Sequence, residues 1–99
     1  MSVALAAVLG SCSGNGPTGV DASLVSFSGG SLRPAAGTIV VSAAGRRVAT
    51  RHSRDGSFSF DLHAGIYMLD GTTSKGVNCI RQSITIRNDT REILTLECI

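Results

Sequence analysis

Residues 54–67, RDGSFSFDLHAGIY, constrain this chain more than any other stretch. Asp55-Gly56 is a turn pair, because glycine accepts the positive φ that a short loop needs. From Ser57 to Leu62 polar and apolar residues alternate without a break. That period of two places Phe58, Phe60 and Leu62 on one face of a strand. Gly65 closes a second short turn, and Ile66-Tyr67-Met68-Leu69 begins the next strand.

The rest of the chain reads the same way. Residues 20–27 form a first strand of imperfect alternation, and residues 28–34 a loop. Thr38-Ile39-Val40-Val41-Ser42-Ala43 is rich in β-branched residues and suits a strand. Ala44-Gly45 turns it, and residues 46–53 form the next. Residues 82–87 and 91–98 are the last two strands, joined by Asn88-Asp89-Thr90. No segment after Cys12 has helical periodicity. Six or seven short strands at regular spacing predict one antiparallel β-sandwich.

Register is arguable at two places. Pairing residues 46–53 with 57–62 as a hairpin puts Val48 opposite Leu62, Thr50 opposite Phe60 and His52 opposite Phe58. A second hairpin, 82–87 with 91–98, puts Ile84 opposite Leu94 and Ile80 opposite Cys98. The expected core is Ile39, Val41, Val48, Phe58, Phe60, Leu62, Tyr67, Leu69, Ile84, Leu94 and Leu96.

The first residues are of another kind. Val3-Ala4-Leu5-Ala6-Ala7-Val8-Leu9 is uncharged and apolar, too short for the roughly 20 residues that span a bilayer, and suited to a secretory signal. Leu9-Gly10-Ser11-Cys12 resembles the lipobox of bacterial lipoproteins, in which the cysteine is lipidated and becomes the new N-terminus. No Lys or Arg precedes the run, so the true start is expected further upstream. The alternative is a buried first strand with an incidental Cys12. The expected division is a signal peptide at 1–11, a flexible Gly-containing tether at 12–19 and the sandwich at 20–99. All nine basic and seven acidic residues lie beyond the signal, and so small an excess of positive charge singles out no partner.

Gly37-Thr38-Ile39-Val40-Val41, then Asp55-Gly56-Ser57-Phe58-Ser59-Phe60, then Leu62-His63-Ala64-Gly65-Ile66-Tyr67, resembles the carboxypeptidase regulatory-like domain. That family is an Ig-like, transthyretin-like (prealbumin-like) sandwich whose consensus runs G-x-V-x-V, a variable hairpin, D-G-x-F-x-F-x-L-x-x-G-x-Y and a last valine-rich strand. The resemblance spans residues 37–98 and departs at Ala64, where the family usually carries proline. It implies an all-β fold of about seven short strands far more than any one function. It also suggests small secreted lipoproteins with a late cysteine pair, here Cys79 and Cys98. Isopeptide chemistry, which joins an early Lys to a last-strand Asn or Asp, is not expected. The sole lysine is Lys75, and residues 91–98 hold neither partner. The Tyr-Arg-Gly-Ser ending of hydroxyisourate hydrolases is replaced by Leu96-Glu97-Cys98-Ile99.

Three cysteines in an exported chain fit one lipidated residue, Cys12, and one disulfide, Cys79–Cys98; the alternative is two free thiols. In the expected hairpin register Cys79 sits one residue off, so the pairing needs a bulge or strand end near residues 77–81. His52 and His63 show no spacing to a nucleophile elbow or a ligand set, and Asp55 alone makes no calcium loop. No catalytic residue, cofactor or metal is expected. Arg46, Arg47, Arg51 and Arg54 with His52 form the one dense basic stretch. It reads as a solvated face that blocks edge pairing, or as a contact for anionic lipid or envelope polymer. No aromatic platform interleaves it, and nucleic acid is not expected. Asn88-Asp89-Thr90 matches a glycosylation sequon but reads as turn chemistry.

The function expected is that of a non-enzymatic lipid-anchored module at the extracytoplasmic face of the cell membrane. It would bind another envelope protein or polymer or serve a structural role. The alternatives are a small hydrolase using a histidine and a carbohydrate-binding or adhesion module.

Overall fold

A computed structural model describes residues 16–99. The signal-like run, Cys12 and the residues up to Asn15 lie outside the described part. The described residues form eight strands: β1 Gly19–Ser28, β2 Ser31–Pro34, β3 Gly37–Ala43, β4 Arg46–Ser53, β5 Ser57–Asp61, β6 Gly65–Thr73, β7 Gln82–Ile86 and β8 Arg91–Cys98. They make two facing four-stranded sheets, and the described chain is an all-β sandwich. The strand beyond the expected seven is β2, in the segment read as loop. Gly29 and Gly30, at φ 61° and 86°, turn the chain back there onto the end of β1.

One sheet has the order β4-β3-β6-β7 and is antiparallel throughout. The other is built on β1, whose two edges are used differently. One edge carries β8 along its length, in parallel. The other carries β5 beside residues 19–23 and β2 beside residues 25–28. The change of partner falls at Leu24, whose N–H donates to the Gly56 carbonyl at 2.9 Å and whose carbonyl accepts from Ala35 N–H at 2.9 Å. Among the described strands, the β1–β8 pair is the one departure from an antiparallel sandwich.

Both expected hairpins are corrected. Residues 46–53 pair with β3, and β5 pairs with β1 in the opposite sheet. The Asp55-Gly56 turn therefore crosses between layers. A turn pair encodes a reversal of the chain and does not say whether the next strand stays in the same sheet. The Ala44-Gly45 loop, with both residues at positive φ (52° and 78°), has already tied β4 to β3. That is the two-residue geometry favoured in hairpins. Likewise β7 lies beside β6 and β8 beside β1, so residues 87–90 also cross between layers.

The first correction reverses a face. Ala49 packs against the core and the Arg51 guanidinium carbon lies 5.9 Å from the centre of the Phe60 ring. Val48, expected inside, is 50% exposed. Val41 pairs with Ala49 and Ser42 with Arg47, so Val48 is the extra residue of a β-bulge.

The core lies between the sheets. Ile39, Val41, Phe58, Phe60, Leu69 and Leu96 are buried as expected, while Leu62, Tyr67, Ile84 and Leu94 are half-buried against them. Val20, Ala22, Leu24, Ile86 and Cys98 are core residues that the periodicity did not single out. Cys79 and Cys98 stand at disulfide distance, Cα to Cα 3.7 Å, as direct partners in a short antiparallel bridge. The one-residue offset of Cys79 disappears because β7 and β8 are not a hairpin, and Ile80 N–H donates to the Glu97 carbonyl at 2.8 Å.

Candidate functional site

The sandwich has two poles, and they differ chemically. The near pole is where the described chain begins. Gly16 N–H donates to Asp61 Oδ1 at 3.1 Å, and its carbonyl accepts from Arg91 Nη1 at 2.8 Å. Leu62 N–H donates to the Thr18 carbonyl, and Asp89 N–H donates to Thr18 Oγ1 at 2.8 Å. Residues 62–64 and 87–90 close this pole. Asp89 sits at φ 57°, a left-handed position that suits Asp in a turn, so the sequon is turn structure here.

Arg91 organises the near pole. It bonds Asp61 Oδ1 at 2.7 Å, Asp21 Oδ1 at 3.1 Å and the Ser59 hydroxyl, and Ser59 in turn donates to Asp21 at 2.9 Å. The Arg91 bond holds the Asp61 carboxyl below its usual range. Burial works against the Arg91 charge, yet Asp61 and Asp21 together hold its pKa above the ordinary value. No sequence signal joins positions 21, 61 and 91. Register does, since Asp21 pairs with both Ser59 and Ile93 and Gly19 with both Asp61 and Arg91.

The far pole carries two shallow grooves, of about 360 and 330 Å³, whose linings share Ala36 and Ser74. Thr38, His52, Ser53 and Arg54 line the first. Ser26, Arg33, Thr73 and Lys75 line the second. The walls follow from three local structures. Gly37 opens β3 where a Cβ would come within 2.3 Å of the Thr72 carbonyl oxygen. Thr73 Oγ1 accepts from Val77 N–H at 3.0 Å and folds the loop carrying Lys75. Ser53 Oγ accepts from Gly56 N–H at 3.1 Å and donates to Asp55 Oδ1 at 2.7 Å. Asp55 also accepts from Ser57 N–H at 2.9 Å. The Ser53 hydroxyl first, then the Ser57 N–H, hold the Asp55 carboxyl below its usual range.

The two histidines are apart. His52 lines the first groove, with Nδ1 2.6 Å from Thr38 Oγ1, its register partner. His63 is exposed in the near-pole turn, where its carbonyl accepts from Tyr67 Oη–H at 2.8 Å. No carboxylate lines His52's groove among the described residues. The basic stretch does not act as one patch. Arg46 and Arg47 follow the Ala44-Gly45 turn at the near pole, Arg51 covers Phe60 and Arg54 reaches the far pole. Residues 46–53 of an extended strand span about 23 Å. Lys75 and Arg33, unconnected in sequence, join Arg54 at the far pole; the fold alone unites them. The described residues hold no cluster of three or more His, Cys, Asp or Glu placed to share a metal ion. No family model matches this chain, and no curated protein matches it.

Proposed function

We propose that this chain is a lipid-anchored, extracytoplasmic β-sandwich that works by binding, one of the transthyretin-like modules that the residues from Asp55 to Tyr67 resemble. One observation carries the reading: the described chain starts at one pole of the sandwich, and the two grooves lined by Arg54, Arg33 and Lys75 lie at the other. Only Ser13, Gly14 and Asn15 separate Cys12 from Gly16, whose backbone is held by Asp61 and Arg91. Four residue steps reach at most about 14 Å. A lipid on Cys12 therefore holds the near pole close to a membrane and turns the grooves outward. The Cys79–Cys98 pair supports an oxidising compartment.

The test is fractionation of cells that express the chain with its native leader. The wild type is expected with membranes and a Cys12→Ser variant in the soluble fraction. Membrane retention of that variant rules out the lipidated anchor.

A hydrolytic reading has one observation in its favour, the 2.6 Å contact between Thr38 Oγ1 and His52 Nδ1 in an open groove. It requires His52 to take the Thr38 proton as that oxygen attacks an ester or amide. Turnover of activated esters that is abolished in both Thr38→Val and His52→Gln would establish it; no turnover by the wild type would dismiss it.

A further inference from the structure

We propose that the paired grooves of the far pole are a binding site for an extended polyanion, a polymer whose repeating unit carries a phosphate or carboxylate. The proposal gives a ligand class to the binding module proposed above and does not depend on its anchor.

Charge is the first argument. Arg54 lines one groove, and Arg33 and Lys75 line the other. None of the three takes part in an ion pair among the described residues, whereas Arg81 and Arg91 are each paired with aspartate. Among the described residues no carboxylate lines either groove. Asp55, the acid nearest Arg54 in sequence, has its oxygen taken by Ser53 and Ser57 within the turn. Glu97 pairs in register with Val25, one residue before Ser26, and lines neither groove. Cations left unpaired around a concave surface raise the local concentration of anions, and guanidinium groups match phosphate and carboxylate oxygens in geometry.

The remaining walls select the form of the ligand. Ser26, Thr38, Ser53, Thr73 and Ser74 make the rest of the lining largely polar, and among the described residues no Phe, Tyr or Trp lines either groove. A compact apolar ligand finds no anchor there. The grooves share Ala36 and Ser74 in their linings, with cations in both, so one chain can lie across the pole and meet charge on either side of these two residues. Each volume is within the range of small-ligand sites.

The experiment uses the full chain, oxidised and held in neutral detergent, titrated calorimetrically with polyphosphate in one arm and polygalacturonate in the other. At least one arm is expected to bind, with affinity that falls as salt is added. Binding in one arm alone identifies the anionic group. Combining Arg33→Ala, Arg54→Ala and Lys75→Ala is expected to weaken binding by about tenfold, the sum of three exposed charges. Combining Arg46→Ala and Arg47→Ala, at the near pole, is expected to change it by less than about twofold. All five side chains are on the surface, so thermal melting checks that both variants are folded. No binding in either arm, no change in the triple variant, or equal losses in both variants overturns the site. Because detergent replaces the membrane, failure here says nothing against the anchor, which the Cys12→Ser fractionation tests separately.

Discussion

Cys79 lies directly across from Cys98, and the hydrogen bond from Ile80 N–H to the Glu97 carbonyl stands beside them. The last strand is thereby tied to the loop that follows β6, and Cys79 N–H also donates to the Gly71 carbonyl at 2.9 Å. The Cys98 side chain is 1% exposed and packs within the core. Closing a loop of this length is worth about 3 kcal/mol in the chain-entropy account. Reduction, or the combined Cys79→Ala and Cys98→Ala variant, is expected to lower stability by about 2–4 kcal/mol in urea unfolding. An unchanged midpoint after reduction would show that the bridge adds nothing.

Phe60 is 1% exposed and its ring lies parallel to that of Phe58, centroids 6.5 Å apart. Phe60→Ala is expected to cost about 3–5 kcal/mol. Val48→Ala, on the bulge, is expected to change stability by less than about 0.5 kcal/mol. Chemical denaturation of both variants checks the assignment of faces along β4 and β5, and equal losses would contradict it.

Two turns make opposite predictions. Ala44 holds a left-handed φ of 52° and is exposed. Ala44→Gly or Ala44→Asn is expected to raise stability by about 0.5–1 kcal/mol, because a side chain with Cβ and no polar group suits that conformation least. Gly56 is at φ 83° and buried, and a Cβ there would meet the Ala35 carbonyl oxygen at 2.9 Å. Gly56→Ala is expected to be destabilising by about 2 kcal/mol or more, from strain and overpacking together. A melting series on the three variants separates the two signs.

Acid is expected to loosen the near pole. Asp61 has a folded pKa below its unfolded value of 3.8, chiefly through the Arg91 bond. Stability from this group is present above the unfolded value and is lost as pH falls through the folded one. Asp61 is half exposed, so the loss is screened to about 1 kcal/mol or less. Unfolding followed from pH 6 to about pH 2 is expected to show this decline in the wild type and a shallower one in Asp61→Asn. Identical pH profiles would remove Asp61 from the account.

Local patterns carried the strands, and the layers needed the whole fold. The Ser57–Asp61 strand was legible because Phe58 and Phe60 alternate with small polar residues, and their burial follows directly. β1 was harder to orient, because Val25 and Phe27 are apolar on the face opposite Val20, Ala22 and Leu24. The outward face of β1 is partly apolar, with Phe27 65% exposed beside Leu32 at 52%. β2 is four exposed residues following two glycines, and nothing periodic marks it. The sheet to which β4 or β5 belongs is a choice between partners far away in sequence, and turn chemistry is silent about it. For the same reason the far pole could not be assembled beforehand: Arg54 and His52 are neighbours in the chain, but Arg33 and Lys75 come to them through β2 and the loop after β6.

The parallel pairing of β1 with β8 has a consequence for how the molecule comes into being. Gly19 meets Arg91 and Ser26 meets Cys98, so the first strand finds one whole edge only when the last is available. Such long-range closure makes folding slow relative to chains dominated by local contacts. A chain emerging stepwise from a synthesis or translocation channel would keep this sheet open until residues 91–98 are released. A polypeptide that must be threaded through a narrow pore before it folds gains from such delay, since the sheet built on β1 stays incomplete until its last partner strand has passed.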